Sequence, residues 1–360
     1  MRIGLDARMV ENSGIGMTIR KLIEHWTPEQ RSQIVLWSIP GWSSPYGMRQ
    51  ETAPDSVYSL RQHWRYGRRL QRAELDLFHM PHYDVPLSYR GRLVATVHDL
   101  IHYLLPEYSA KPFSKFYSYA LLSHVARRAN RIICVSESTK KDFVSLFPKA
   151  QDRVRVISPA VDLPVSVSTD DVRKRVLAHH ALRPGYILYV GNLRKSKNTL
   201  GLIAAYARLK AQRPDAPPLV LVGRNSLPQS SSRQFPTGVQ LLGEVPPEHL
   251  PVLYSQALFF AFPSFYEGFG LPPLEAMAYG TPVMASDRAS LPEVCGAAAL
   301  YVDPTSVDAM ADAMMRLMLE SGTRAQLRRA GLENVKRFSW KTFAEQTWRI
   351  YEDVLKEPPR

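Results

Sequence analysis

The sequence has only two cysteines, Cys134 and Cys295, which lie far apart and outside any zinc-binding spacing. This scarcity excludes a disulfide framework and a cysteine-based zinc knuckle. We expect both cysteines to be small core residues of a protein in a reducing compartment.

Long apolar runs are also missing. No run approaches the roughly 18 consecutive apolar residues of a transmembrane helix, and residues 257–262 have the length of a buried strand. From Met1 the chain enters strand-like residues directly, without the basic segment and apolar core of a signal peptide. We therefore expect a cytoplasmic protein that does not cross a bilayer.

Several catalytic and binding motifs are absent as well. No glycine loop ends in Gly-Lys-Ser/Thr and no serine nucleophile elbow occurs, which argues against ATPases and esterases. An Asp-x-Asp pair in a suitable loop is missing, and no nucleic-acid-binding module is visible. The sequence predicts no bound metal, no cofactor and no nucleic-acid partner.

Acidic residues are fewer than basic ones, 33 against 46, which gives a net charge of +13 and favours anionic partners. The densest basic stretch is residues 61–72, where Trp64 and Tyr66 alternate with arginines as in interfacial segments. A solvated helix face explains this segment equally well. With the aromatic-rich segment 113–122, it suggests that the first domain rests peripherally on the anionic inner face of the cytoplasmic membrane.

The length of 360 residues and 45% hydrophobic content are enough for two domains. Strands alternate with helices and end in polar residues, which is typical of α/β, doubly wound parallel sheets. Proline and serine interrupt the pattern near residues 158–164, so we place the boundary between domains 1–163 and 164–339. The predicted strands are 2–6, 92–97, 131–135, 185–190, 219–222, 239–242, 258–262 and 282–285, and the predicted helices are 17–26, 117–128 and 340–355.

The most informative stretch is residues 262–280. Glu267 lies in a predicted loop, prolines 272 and 273 suit a first helical turn, and Gly280 ends the short helix. The amides at the helix start suit an anion or sugar hydroxyls. Glu275 lies about one turn further in, so the two carboxylates can hold hydroxyls at two places on an extended ligand. An acidic helix start with a solvated Glu267 is the alternative.

A second cluster follows the strand 185–190. Arg194, Lys195 and Lys197 crowd its end, and Arg224 follows the next strand. Together they favour diphosphate binding, although each alone is more typical of an ordinary surface cation. Asn198 is expected to cap the helix that follows.

The first domain offers weaker signals. Gly14 and Gly16 suit either close approach of a ligand or a tight turn. His98 follows a predicted buried strand and is next to Asp99 in the sequence. It is either a hydrogen-bond donor at a ligand site or one member of a structural His98–Asp99 pair. Ser136 and Ser138 are expected to cap a helix beginning near Thr139.

These segments resemble the retaining glycosyltransferases of family 4, over essentially the whole chain. The most specific element is Glu267-Gly-Phe-Gly-Leu-Pro-Pro-Leu-Glu275, with Gly280-Thr-Pro-Val and residues 289–294 after it. The resemblance implies a GT-B fold, in which two facing Rossmann-like domains enclose a cleft. It implies catalytic roles for Glu267, His98 and Lys197, and donor contacts at Gly14, Gly16, Asn192, Arg194, Arg224, Val245, Gly268, Phe269, Gly270, Leu271 and Glu275.

The resemblance also gives these residues particular partners. Glu267 would contact the donor sugar, Glu275 the ribose and Lys197 the diphosphate, while residues 243–245 would form the base-binding turn. The first domain would bind the acceptor and be joined by the final helix, 340–360. Where many members have arginine, this chain has Asn192, as in a subgroup that resembles bacterial mannosyltransferases of surface-polysaccharide synthesis.

The implied reaction moves a sugar, with GDP-mannose as the leading donor, to a glycan or lipid-linked acceptor with retention and without a metal. Same-face attack is implied, with the leaving phosphate helping to deprotonate the acceptor, so no protein nucleophile is named. A nucleotide-sugar epimerase of the same fold and a non-catalytic binder of anionic membranes are the alternatives.

Overall fold

The computed structural model describes residues 1–12, 14–108, 113–163, 169–227 and 235–358. The chain forms two compact units: the first comprises Met1–Pro159 and Ser339–Arg360, and the second Ala160–Phe338. The chain thus enters the second unit slightly before the predicted boundary, next to residues 164–168, which lie outside the described residues. Both units have parallel sheets covered by helices, so the predicted α/β class is confirmed.

The first unit contains a seven-stranded sheet of order β3-β2-β1-β4-β5-β6-β7 within the described residues. All neighbouring strands are parallel, and most are buried along their whole length, which explains their continuous apolar sequences. The strands are β1 Ile3–Asp6, β2 Ile34–Ser38, β3 Arg49–Thr52, β4 Leu77–Met80, β5 Leu93–Val97, β6 Arg131–Cys134 and β7 Val154–Val156.

Helices connect these strands. They are α1 Gly14–His25, α2 Pro28–Ser32, α3 Gly67–Arg72, α4 Ile101–Leu104, α5 Ser114–Arg128 and α6 Glu137–Leu146, with a π-helical turn at Gln62–Tyr66. Ser136 accepts a hydrogen bond from the Thr139 amide, so its predicted capping role is confirmed.

Gly14 and Gly16 lie in the first turn of α1 rather than in a loop, which corrects the prediction of a glycine loop there. A Cβ atom on Gly16 would lie 2.4 Å from the Val10 carbonyl oxygen and 2.7 Å from that of Met9. The glycine therefore lets α1 begin directly against the preceding turn. Gly14 has open space around its Cα.

The C-terminal helix, Trp340–Lys356, belongs to this first unit, as expected for a final helix that joins the first domain. Its buried Tyr351 lies 2.6 Å from Nδ1 of His79 on β4, and Trp348 packs edge-on against Trp26, which directly follows α1. Burial lowers the pKa of His79 to about 3, so its ring is neutral and contacts the tyrosine without a buried charge.

The second unit contains a six-stranded parallel sheet of order β10-β9-β8-β11-β12-β13 within the described residues. Its strands are β8 Tyr186–Val190, β9 Leu219–Val222, β10 Val239–Gly243, β11 Ala257–Phe262, β12 Val283–Ser286 and β13 Ala299–Val302. Its helices are α7 Asp170–His179, α8 Thr199–Gln212, α9 Leu250–Ser255, α10 Leu271–Ala278, α11 Leu291–Cys295, α12 Val307–Leu319 and α13 Ser321–Asn334.

Asn198 does not cap α8 with its side chain, contrary to the prediction. Its backbone is left-handed, with φ 54°, and its side-chain amide donates to the Pro304 carbonyl at 2.6 Å. Both cysteines are buried and free, as predicted for core residues.

Candidate active site

The candidate active site of the second unit is built where the strands β8, β9, β10 and β11 end. Gly191 donates to the Val222 carbonyl at 2.9 Å, and Gly223 donates to the Gly243 carbonyl at 2.7 Å. A Cβ atom on Gly223 would lie 2.2 Å from the Gly191 carbonyl oxygen, so only glycine permits this approach. The loops after three neighbouring strands are thereby held together.

An ion pair joins the two clusters that the sequence singled out. The Lys197 ammonium donates to both carboxylate oxygens of Glu267, at 2.5 and 2.6 Å. The exposed fractions of the two side chains are 25% and 11%, so both are sheltered but reachable from solvent. Because an ammonium has three donors and Glu267 accepts two, one donor remains for a ligand.

The loop that carries Glu267 is held from both sides. Ser290 donates to the carbonyls of Glu267 and Phe269, at 2.8 and 2.7 Å, and is fully buried. On the other side, the Phe265 amide and the Ser264 hydroxyl both donate to the Ser196 carbonyl, at 3.0 and 3.2 Å. The loops of Lys197 and Glu267 are therefore connected through the backbone as well as through the ion pair.

Helix α10 begins directly after this loop. Gly270 has φ 112°, and a Cβ atom there would lie 2.7 Å from Leu291, so a glycine is required. Prolines 272 and 273 occupy the first turn and Gly280 follows the helix end, as the sequence predicted. The amides of Gly270 and Leu271 lie at the positive end of the helix dipole, which suits anionic ligands.

Glu275 lies on α10 and is half-buried. The Tyr254 hydroxyl donates to its Oε2 at 2.8 Å. Burial raises the pKa of Glu275, the nearby Asp162 adds to this, and the Tyr254 hydrogen bond opposes it. The hydroxyl therefore favours the charged form, which is the form that accepts hydrogen bonds from ligand hydroxyls.

The remaining cations of the cluster are more exposed. Arg194 and Lys195 are exposed, and Arg224 pairs with Glu244 at 3.3 Å, with 68% and 65% of the two side chains exposed. Such an exposed pair is weak, so Arg224 can exchange Glu244 for a phosphate. Asn192 and Val245 are half-buried. The structure thus brings the predicted residues of this unit to neighbouring strand ends.

In the first unit, His98 differs from the sequence expectation. Its Nε2 lies 3.0 Å from the Pro81 carbonyl oxygen, which can only accept, so Nε2 carries the hydrogen. Burial lowers the pKa of His98 despite the nearby Asp99, and the neutral ring then presents Nδ1 as an acceptor rather than a donor. Asp99 accepts from the Ile101 amide at 3.1 Å, so hydrogen bonds of both groups go to the backbone.

Sequence reasoning missed Tyr254 and Ser290. Tyr254 lies on α9, outside the Glu267–Glu275 motif, and nothing in its local sequence distinguishes it from an ordinary helix residue. Ser290 falls within residues 289–294, which carry part of the family resemblance, but that resemblance gave no role to its side chain.

Comparisons with known proteins identify the family of this chain. Residues 24–164 match the model of Glycosyltransferase Family 4, and residues 174–334 match that of Glycosyl transferases group 1. The O-antigen chain mannosyltransferase B of Escherichia coli is 35% identical over 293 residues, which cover 77% of this chain and 74% of that protein. The chain belongs to the family 4 and group 1 glycosyltransferases.

Other similar proteins include a second named transferase and two solved structures. A D-inositol 3-phosphate glycosyltransferase of Corynebacterium aurimucosum is 28% identical, covering 76% of this chain and 67% of that protein. HepE of Anabaena, solved with UDP and glucose, has a TM-score of 0.78 at 18% identity and covers 98% of this chain and 100% of that one. WaaG, a glycosyltransferase of lipopolysaccharide biosynthesis, has a TM-score of 0.76 at 14% identity, covering 97% and 99%. The predicted GT-B fold, with two Rossmann-like domains, is confirmed.

Proposed function

We propose that this glycosyltransferase moves mannose from GDP-mannose to a glycan or lipid-linked acceptor of a bacterial surface polysaccharide, with retention and without a metal. The observation that carries the proposal is the Lys197–Glu267 ion pair, fixed at the strand ends beside the start of α10. It holds a cation and a carboxylate side by side, as a sugar diphosphate requires.

The leaving diphosphate is the group that needs stabilisation. When the bond between the anomeric carbon and the phosphate oxygen breaks, negative charge grows on the diphosphate. The free donor of Lys197, the exposed Arg194 and the amides at the start of α10 are the groups we assign to it. These cations replace the divalent ion that other transferases use.

Glu267 and Glu275 are assigned to two ends of the donor. Glu267 accepts hydrogen bonds from hydroxyls of the sugar, and Glu275 accepts them from the ribose. Residues 243–245 contact the base. The acceptor oxygen attacks the anomeric carbon on the face that the diphosphate leaves, and its proton passes to the leaving phosphate. No covalent sugar–enzyme bond is needed, so no protein nucleophile is assigned.

The choice of donor is supported by the name of a relative and by one residue. The mannosyltransferase of Escherichia coli acts in O-antigen synthesis by its name, and it shares 35% identity with this chain. Asn192 stands where many family members have arginine. Both favour mannose, and hence GDP-mannose, over UDP-sugars.

We propose that the first unit binds to the surface of a membrane. Leu60 and Trp64 are 78% and 60% exposed, and Phe113 and Phe116 are 77% and 73% exposed. Tyr117 lies 3.2 Å from His63, which brings these two segments together. We call this surface, with the exposed Arg61, Arg65, Arg68 and Arg72, the basic aromatic surface. Arginines beside exposed aromatic rings suit an anionic lipid face. No described helix is long and apolar enough to cross a bilayer.

The experiment that tests the function measures release of nucleoside diphosphate from GDP-, UDP-, ADP- and dTDP-sugars in EDTA. We expect turnover of GDP-mannose, with transfer to a lipid-linked acceptor identified by mass spectrometry and the anomeric configuration by NMR. Glu275→Ala should abolish turnover, whereas Glu333→Ala, an exposed acid on α13, should leave it unchanged. The proposal would be contradicted if the product were an isomerised donor. It would also be contradicted if the chain neither bound nor turned over any of the donors.

A further inference from the structure

Three histidines of the second unit form a cluster. His179 ends α7, His180 follows it directly, and His249 precedes α9. One ring nitrogen from each lies within 4.8 Å of the others, and His180 Nε2 lies 3.0 Å from His249 Nδ1. His179 is exposed and the other two are half-buried, so an ion can reach the cluster from solvent.

The backbone on both sides of the cluster is fixed. At the end of α7, Ala181 has φ 52° and the Leu182 amide donates to the Leu177 carbonyl at 2.8 Å, which makes a closed helix end. Gln240 also donates to the His180 carbonyl at 2.9 Å. The His249 amide donates to the Pro246 carbonyl at 2.9 Å. These hydrogen bonds hold the backbone that carries His180 and His249.

We propose that His179, His180 and His249 bind one zinc ion, with water as the fourth ligand. Zinc–nitrogen bonds of about 2.0–2.1 Å in tetrahedral geometry place ligand nitrogens about 3.3 Å apart. The 3.0 Å pair is close to this spacing, and the third ring lies within 4.8 Å. Imidazole is a preferred zinc ligand, and binding requires its neutral form.

One feature favours an ion over three rings that merely contact each other. The hydrogen bond between His180 and His249 uses one nitrogen of each of these two rings and leaves His179 outside it, whereas an ion can bind a nitrogen of all three rings. Zinc would then tie the end of α7 to the turn between β10 and α9.

The test uses the full chain with any histidine tag removed and all metal stripped. Zinc binding is measured by calorimetry and by competition with a chromophoric chelator, and Co²⁺ absorption reports the coordination geometry. We expect one ion per chain and a Co²⁺ spectrum of a four-coordinate site. His249→Gln and His180→Gln should each weaken binding by more than about tenfold.

His25→Gln is the matched control, because His25 is a single histidine at the end of α1 with its Nδ1 3.0 Å from the Lys21 carbonyl oxygen. It should bind zinc as tightly as the native chain. Zinc should also raise the melting temperature of the native chain and of this control but not that of His249→Gln, because only a ligand of the folded state stabilises it. Equal zinc affinity in all four proteins, or no binding by the native chain, would overturn the proposal.

The site is independent of the transferase assignment. Zinc binding needs neither donor nor acceptor, so a failure to bind zinc leaves the proposed reaction untouched. Conversely, a chain that binds zinc but turns over no donor would support this site and contradict only the proposed function.

Discussion

The Tyr254 hydroxyl donates a 2.8 Å hydrogen bond to Oε2 of Glu275. The tyrosine ring is buried and stacks parallel to Tyr279, with ring centroids 5.9 Å apart. A rigidly held donor therefore faces a carboxylate whose pKa burial raises. This hydroxyl opposes the effect of burial on the pKa of Glu275, and its contribution can be measured.

Tyr254→Phe should move the acid limb of donor binding to higher pH. Lowering the pH protonates Glu275, which removes an acceptor for ligand hydroxyls, so affinity falls on the acid side. Because burial raises the pKa of Glu275, this fall should begin above the pH at which an ordinary glutamate protonates. Removing the hydroxyl, which favours the charged form, raises the pKa of Glu275 further. Calorimetric titration of the donor against pH measures the shift.

Tyr279→Phe is the control for that shift. Its ring stacks on Tyr254 without the hydrogen bond that Tyr254 makes to Glu275. It should leave the acid limb within a few tenths of a pH unit of the native one. An unshifted profile in Tyr254→Phe would show that Glu275 does not control donor binding.

Lys197→Met should lower kcat/KM by about 10²–10³, the range found when one donor to a developing negative charge is lost. Lys174→Met is a matched control, since Lys174 is an exposed lysine on α7 of the same unit and is not one of the cluster's cations. It should change kcat/KM by less than about threefold, as expected for a surface charge. Steady-state release of nucleoside diphosphate measures both. Equal losses in the two variants would mean that net positive charge, and not the paired lysine, acts on the diphosphate.

The strands near the site could be predicted because parallel strands buried on both faces have continuous apolar sequences. β8, β9 and β11 all lie within about one residue of their predicted bounds. The predicted strands do not include β2, β3, β4, β7 or β13. Of these, β3 has no apolar pattern, because its residues Arg49–Thr52 are polar and partly exposed at the sheet edge. Pairing with β2, rather than local sequence, makes it a strand.

The hydrogen-bond partners of side chains were less predictable than the backbone conformation. The prediction that Asn198 caps α8 rested on residue type, but the side chain instead bonds to Pro304, which is 106 positions away. The histidine cluster joins residues that are 69 positions apart, so no local spacing in the sequence predicts it. The Glu267–Glu275 motif was visible because a loop and the helix that follows it contain both carboxylates.

Gly16→Ala should destabilise the first unit by about 1–3 kcal/mol, the usual cost of forcing extra atoms into a packed site. Its Cβ atom would meet the backbone carbonyls of Val10 and Met9, which cannot move as side chains can. Gly14→Ala, two positions earlier in the same helix, should be neutral or slightly stabilising, because it has open space and alanine favours helices. Urea unfolding of the three proteins measures the difference. Equal stability of the two variants would contradict the close packing at Gly16.

The basic aromatic surface should bind vesicles that contain anionic lipid at low salt. Arginines near such a membrane each contribute about 1 kcal/mol, so replacing Arg65 and Arg68 together by alanine should weaken binding about 30-fold. Trp64→Ala and Phe116→Ala should weaken it through loss of apolar contact, even though net charge is unchanged. Co-sedimentation with vesicles of stated lipid composition measures each affinity.

A second double variant separates this surface from net charge. Lys174 and Arg329 are exposed cations of the second unit, and replacing both by alanine removes the same two charges. We make this comparison at 0.1 M salt, where a charge acts on the lipid only over about 10 Å, so cations outside the contact surface contribute little and this control should bind vesicles nearly as well as the native chain. Equal weakening by both double variants would show that overall charge attracts the protein to lipid. Loss confined to the Arg65 and Arg68 variant would place the contact on the first unit, which is the unit we assign to the acceptor.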